Sequence, residues 1–138
     1  MIITLPFKTP NVNNLYWYRG NIKILKSETK RLRERIINIV KALNYPYCIN
    51  DELNVTIDIY EDWYTIERLV KKKDIANREK FLIDSVFKAL SLDDKQIFDC
   101  RFIKRHCIDG EKAVIYIHDR ESRYNIAYNY SNKLIKAK

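Results

Sequence analysis

Apolar and polar positions alternate with a period of two at Leu53, Val55, Ile57 and Ile59 against Asn54, Thr56, Asp58 and Tyr60, predicting a half-buried strand. The same period returns where Phe98, Cys100 and Phe102 alternate with Asp99, Arg101 and Ile103. It returns again over Lys112–His118, with Ala113, Ile115 and Ile117 as the inward row, after the two-residue turn signal Asp109-Gly110. Ile2–Pro6 reads as a short strand closed by its proline. A longer period marks two helices. Leu32, Ile36, Ile39, Val40 and Leu43 make one buried stripe, with Ser27 as the predicted cap, Glu28 suited to the positive end, and Asn44-Tyr45-Pro46-Tyr47 as the stop. From Asn77 to Leu90, the apolar Leu82, Ile83, Val86, Phe87, Ala89 and Leu90 lie opposite Asn77, Lys80, Asp84 and Lys88. The order strand, helix, strand, helix, strand, strand predicts an α+β domain with helices covering one face of a mixed or antiparallel sheet.

Two stretches lie outside this scheme. Leu15-Tyr16-Trp17-Tyr18 and Asn21–Leu25 flank Arg19-Gly20, predicting a small hairpin whose aromatics can stack on bases or pack over the next helix. Glu61–Val70 has no clear period and is expected to be a mobile loop, with Trp63 either a base-stacking platform or a core residue.

A chain of 138 residues with 46% hydrophobic content and two glycines suits one ordered domain rather than a disordered segment. No apolar run reaches membrane-spanning length and the amino terminus lacks a signal-peptide layout, so residence inside a cell is the expectation. A net charge of +8 favours a polyanionic partner. Cys48, Cys100 and Cys107 have no CxxC spacing, which argues against a zinc knuckle or disulfide scaffold and for reduced, partly buried thiols. His106 and His118 are isolated and carry no predicted chemistry.

The candidate chemistry gathers around the second helix. Lys71-Lys72-Lys73 runs into Asp74, the helix carries Asn77, Lys80 and Asp84 on one side, and Asp93-Asp94 follows. Asn77 and Asp84 share a helical azimuth to within about 20°, whereas Glu79 falls toward the apolar side. Carboxylates suit hard cations such as Mg²⁺ and Mn²⁺, and adjacent lysines suit phosphate. A solvated helix face beside a surface charge run fits the same pattern, and periodicity does not decide between them.

The pattern Asp74-x-x-Asn77-x-x-Lys80-x-x-x-Asp84, followed by Leu92-Asp93-Asp94-Lys95-Gln96-Ile97, resembles the signature of RusA-type Holliday junction resolvases. Ile3-Thr4-Leu5-Pro6, Asn13-Asn14 and Tyr16 resemble that family's amino-terminal part, and the likeness covers most of residues 1–118. It implies a RusA-like two-layer domain that works as a homodimer and cuts branched DNA with a divalent metal, Mg²⁺ or Mn²⁺. It also implies metal-binding roles for Asp74 and Asp94 and a supporting role for Lys80. The family's Asp-x-Asp-Asn motif has Ala76 at its second Asp, so Asp84 is the expected replacement ligand and Asp93 a neighbouring one. Lys71, Lys72, Lys73 and Asn77, with Asn14 and Tyr16, are the expected nucleic-acid contacts. Residues 119–138 form a basic, aromatic extension beyond the likeness, suited either to a partner subunit or to nucleic acid. A RusA-fold protein that binds branched DNA without cutting it is the alternative, and an RNA-binding scaffold is a third reading.

Overall fold

A computed structural model describes residues 1–45 and 52–120. Expectations for Pro46, Tyr47 and Cys48, and for the extension past Arg120, lie outside the described residues. Strands β1 (Ile2–Leu5), β4 (Leu53–Glu61), β5 (Ile97–His106) and β6 (Lys112–Asp119) form one sheet in the order β1-β6-β4-β5. β6 runs antiparallel to both neighbours and β4 runs parallel to β5, so the sheet is mixed. Register puts Ile57 beside Ile115 and Phe102, and Ile115 beside Ile3. The alternating rows read from the sequence therefore share one face.

That face packs with α1 (Ser27–Ala42) and α2 (Glu79–Leu90) into a single core. Ile36 and Val40 enter from α1, and Phe81, Leu82, Val86 and Phe87 from α2. Each such large apolar side chain contributes roughly 1.5–3 kcal/mol by leaving water. Among the described residues, neither helix is long and apolar enough to cross a membrane.

Four local expectations change. Asp109-Gly110 does not close a hairpin, because β5 and β6 lie on opposite edges of β4. α2 returns the chain parallel to β4, so the loop after β5 must cross the end of β4 to reach β6, with Gly110 at φ +74°. Phe98 leaves the inward row: the β4–β5 register shifts between Leu53 and Asn54, and Phe98 is exposed beside the Arg120 guanidinium. Ser27 is the first helical residue rather than the cap, because Lys26 still donates its N–H to the Leu15 carbonyl at 3.0 Å. Leu43 falls past the helix end and is exposed, with Asn44 at φ 50° turning the chain away.

The hairpin is present as β2 (Tyr16–Arg19) and β3 (Ile22–Leu25), a two-stranded ribbon separate from the main sheet. It rises from a 3-10 turn, Val12–Asn14, which packs against a second 3-10 turn, Ala76–Arg78, at the entry to α2.

Candidate active site

The segment leading into α2 is held down by charge. Glu61 continues the inward row of Val55, Ile57 and Ile59, so its carboxylate is fully buried. Both its oxygens accept from the Arg78 guanidinium, whose Nη1 also donates to the Thr9 carbonyl. Lys73 Nζ lies 3.6 Å from the same carboxylate, and Lys104 Nζ donates to the Lys73 carbonyl at 2.9 Å. One carboxylate thus binds both ends of Lys73–Arg78 to the end of β4. A carboxylate removed from water requires such compensation.

Trp63 belongs to this clasp. Its ring is 2% exposed, and Nε1 donates to the Ile59 and Arg105 carbonyls at 3.1 and 2.9 Å. Those bonds and that burial exclude the base-stacking use. The loop that follows is also more ordered than its composition suggests: Tyr64 bridges to Val70, Lys71 N–H donates to the Trp63 carbonyl, and Lys71 Nζ pairs with Asp62 at 3.0 Å. The hydrogen bond from Lys71 holds the Asp62 carboxyl below its ordinary range. His106 lies 3.7 Å from Asp62 and edge-on to Tyr64, so it is not isolated.

Asp74 is exposed, and its Oδ1 accepts the Ala76 N–H at 2.9 Å. This local turn leads into the 3-10 segment Ala76–Arg78, so α2 starts only at Glu79. Asn77 therefore does not share an α-helical azimuth with Asp84. Glu79 also departs from expectation, because it is exposed rather than on the apolar side.

At the other end of α2, Ser91 takes a left-handed conformation (φ 57°), and Leu92 N–H returns to the Phe87 carbonyl. This reversal delivers Asp93 and Asp94. Asp93 caps the short turn Asp94–Gln96: its Oδ1 accepts the Lys95 N–H, and Gln96 Oε1 accepts the Asp93 N–H, each at 3.0 Å. The Lys95 backbone N–H, and then a hydrogen bond with the Asp94 side chain, hold the Asp93 carboxyl below its ordinary range.

Glu79, Lys80, Ile83, Asp84, Asp94, Ile97 and Cys100 line one open cleft of about 460 Å³ between α2 and the start of β5. Asp84 and Asp94 also line the adjoining cleft of about 270 Å³, together with Asp93 and Lys88. The structure thus brings together Lys80, Asp84 and Asp94, from positions fourteen residues apart at most. Asp74 and Asn77 are not among the lining residues. Burial, with the nearby Glu79 and Asp99 charges, pushes the Cys100 thiol up to about 11. A larger concavity of about 720 Å³ lies among Asp62, Tyr64, Ile66, Arg68 and His106, but its aspartate is already paired with Lys71.

Among the described residues no three His, Cys, Asp or Glu side chains gather into a ready-made metal cage. Of the three carboxylates that line the cleft, Glu79, Asp84 and Asp94, one or two suffice for a hard cation of the Mg²⁺ type, which fills its shell with water and substrate phosphate. Of the lysine run, Lys71 and Lys73 are engaged within the fold and Lys72 is exposed. Asn14 is exposed, and Tyr16 is half-buried under Lys23 Nζ at 3.9 Å from its ring centroid. Sequence reasoning missed Glu61, Arg78 and Lys104. A signal existed for two of them: Glu61 is in phase with the strand's apolar row, and Arg78 stands three and four residues before the buried Phe81 and Leu82.

The family model "Endodeoxyribonuclease RusA" matches residues 6–118. No curated protein matches the chain. Among solved structures, the periplasmic domain of Helicobacter pylori MotB (residues 97–256) aligns at 13% identity and a TM-score of 0.43, covering 96% of this chain and 90% of that one. A form spanning residues 90–256 aligns at 10% identity and a TM-score of 0.41, covering 96% and 82%. At those scores the likeness carries no argument.

Proposed function

The chain belongs to the RusA endodeoxyribonuclease family, and from that premise we propose that it is a structure-specific endonuclease cutting four-way or otherwise branched DNA by metal-dependent phosphodiester hydrolysis. The observation that carries this reading is the convergence of Lys80, Asp84 and Asp94 on one open cleft in a chain of that family. Asp84 and Asp94 would hold Mg²⁺ or Mn²⁺ on the cleft; the family pattern adds Asp74, which stands outside that cleft on the turn ahead of α2. When bound, the ion supplies an activated water and neutralises charge on the phosphodiester. Lys80 contributes a fixed positive charge where the phosphate gains negative charge. Asp93 orients Asp94 by capping the turn on which both sit. The exposed Lys72 attracts the DNA backbone without reading sequence. A four-way junction has two equivalent strands, which suits a two-fold symmetric dimer.

Incubating a synthetic four-way junction with the protein and Mg²⁺ or Mn²⁺ tests the reading. Paired nicks on opposing strands are expected. Ala76 supplies no carboxylate, and among the described residues no three acidic groups gather closely enough to cage a metal, which favours one second reading: a protein that binds the junction and leaves it intact. Retention of the junction on a gel without nicks under either ion would replace the first reading with the second.

A further inference from the structure

We propose that the β2–β3 ribbon is the element that engages unpaired or unstacked bases at the branch of the DNA, with Trp17 as the stacking residue. This rests on the branched-DNA reading above and adds a base-contacting surface to it.

Cross-strand pairing puts Trp17 opposite Ile24 and Arg19 opposite Ile22, so these four side chains share one face of the ribbon. All four are exposed: Trp17 is 64% accessible, Ile22 61% and Ile24 45%, and Arg19 is open as well. The other face is tied down at its base, where Tyr16 and Leu25 pack against the core. An apolar ladder of this kind, on a ribbon outside the main sheet, is a surface for a ligand to cover. Charge identifies what. Residues 1–27 contain Lys8, Arg19, Lys23 and Lys26 and no acidic side chain, so the ribbon faces its ligand as a cation. Lys26 Nζ lies over the Trp17 ring, 4.4 Å from its centroid, so a base would stack on the opposite face with this cation near its phosphate. A flat aromatic with adjacent cations is the chemistry that holds unpaired bases, and apolar ribbon residues can wedge between base steps.

Position supplies the second argument. The ribbon rises from Val12–Asn14, which packs on Ala76–Arg78, immediately ahead of Glu79 and Lys80. Arg78 fastens this junction from within through the Thr9 carbonyl. Bases held by the ribbon would therefore lie beside the entry to α2. Continuous duplex offers no free base face, whereas a branch point, where stacking is interrupted, does.

The chain has two tryptophans, and only Trp17 is open to solvent, which makes emission a direct probe. The full-length protein is titrated in a metal chelator with a four-way junction or a duplex of matching sequence. The expected result is several-fold stronger quenching by the junction, together with protection of Trp17 from acrylamide. Trp17→Ala should abolish the quench and weaken junction binding roughly tenfold, with the salt dependence unchanged. Trp17→Phe should recover part of the affinity. No change in emission on binding, or equal quenching by duplex and junction, overturns the proposal. So does a blue shift that grows with protein concentration without DNA, which would mean that a second copy covers the ribbon. Chelation separates the two readings: quenching by a junction that is never nicked in Mg²⁺ would sink the nuclease assignment and leave the ribbon's role standing.

Discussion

The two ends of the segment that delivers α2 handle charge in opposite ways. At the clasp, Glu61 is fully buried and satisfied by Arg78 and Lys73, and Trp63 and Lys104 close over it. At the cleft, Asp84 and Asp94 are exposed on a concave surface with Lys80. Both regions combine acids with bases. In the first the single carboxylate is taken up by Arg78 and Lys73, so no acidic oxygen is left for a metal. In the second the carboxylates remain open to solvent, so binding a cation requires no internal pair to be broken. Charge paired inside holds the chain in shape, and charge left open can recruit a partner. The tryptophans repeat the contrast, with Trp63 sealed by two hydrogen bonds and Trp17 open on the ribbon.

Breaking the clasp should have the largest effect. Arg78→Ala leaves a buried carboxylate with only Lys73 nearby, and a loss of about 3–5 kcal/mol in urea unfolding is expected. The double replacement Glu61→Leu with Arg78→Met should restore most of that stability, because apolar groups of similar volume do not need the missing charge. A single variant as stable as the wild type would mean that the ion pair contributes nothing net.

The cleft should respond in the opposite sense. Asp94→Asn should lower nicking of a four-way junction by about 100-fold or more, with unfolding changed by less than about 0.5 kcal/mol. Its neighbour sharpens the contrast. Asp93→Ala should cost about 1 kcal/mol through the lost cap, which an unfolding curve would register. If the two variants behaved alike, capping and ligand binding would not be divided between these adjacent aspartates.

Much of the fold was legible in the sequence, whereas most of the charge pairing was not. Period-two rows at Val55–Ile59 and Ala113–Ile117, and the stripe of α2, are local patterns, and they occupy the core as read. Most of the failures need long-range information, and one turns on a local bond. Asp109-Gly110 looks like a hairpin until β4 is inserted between the strands it joins. Asn77 loses its helical azimuth because the Asp74 side chain bonds locally and the chain enters α2 through a 3-10 turn. Lys73 read as a free phosphate contact because its partner Glu61 lies twelve residues earlier, on a strand. The acidic candidates came from the resemblance to the RusA pattern rather than from spacing alone, and which of them share a cleft depended on the left-handed turn at Ser91.

A smaller effect is expected at Cys100, on the floor of the cleft. Its thiol is raised to about 11 from 9.0, first by burial and then by Glu79. The folded chain therefore keeps this proton to higher pH than the unfolded chain does. Its contribution to stability should fall as pH rises from about 9 toward 11. Glu79→Gln removes one cause of the shift and should speed alkylation of Cys100 by iodoacetamide at pH 9, read by mass spectrometry. An unchanged rate would mean that the Glu79 charge does not reach the cleft floor.

The smallest effect tests the comparison within a single run of lysines. Lys71 and Lys73 spend their charge on Asp62 and Glu61, whereas Lys72 is exposed and makes no ion pair among the described residues. Only a cation free of internal partners should release a counterion's worth of salt dependence on meeting DNA. Lys72→Ala should therefore reduce the slope of log K against log salt by about one, weakening binding alike for every DNA sequence. Lys71→Ala should leave that slope nearly intact, because it frees Asp62 rather than removing a phosphate contact. Equal reductions would show that the Lys71–Asp62 pair opens on binding, and that the boundary between structural and recruiting charge moves when DNA arrives.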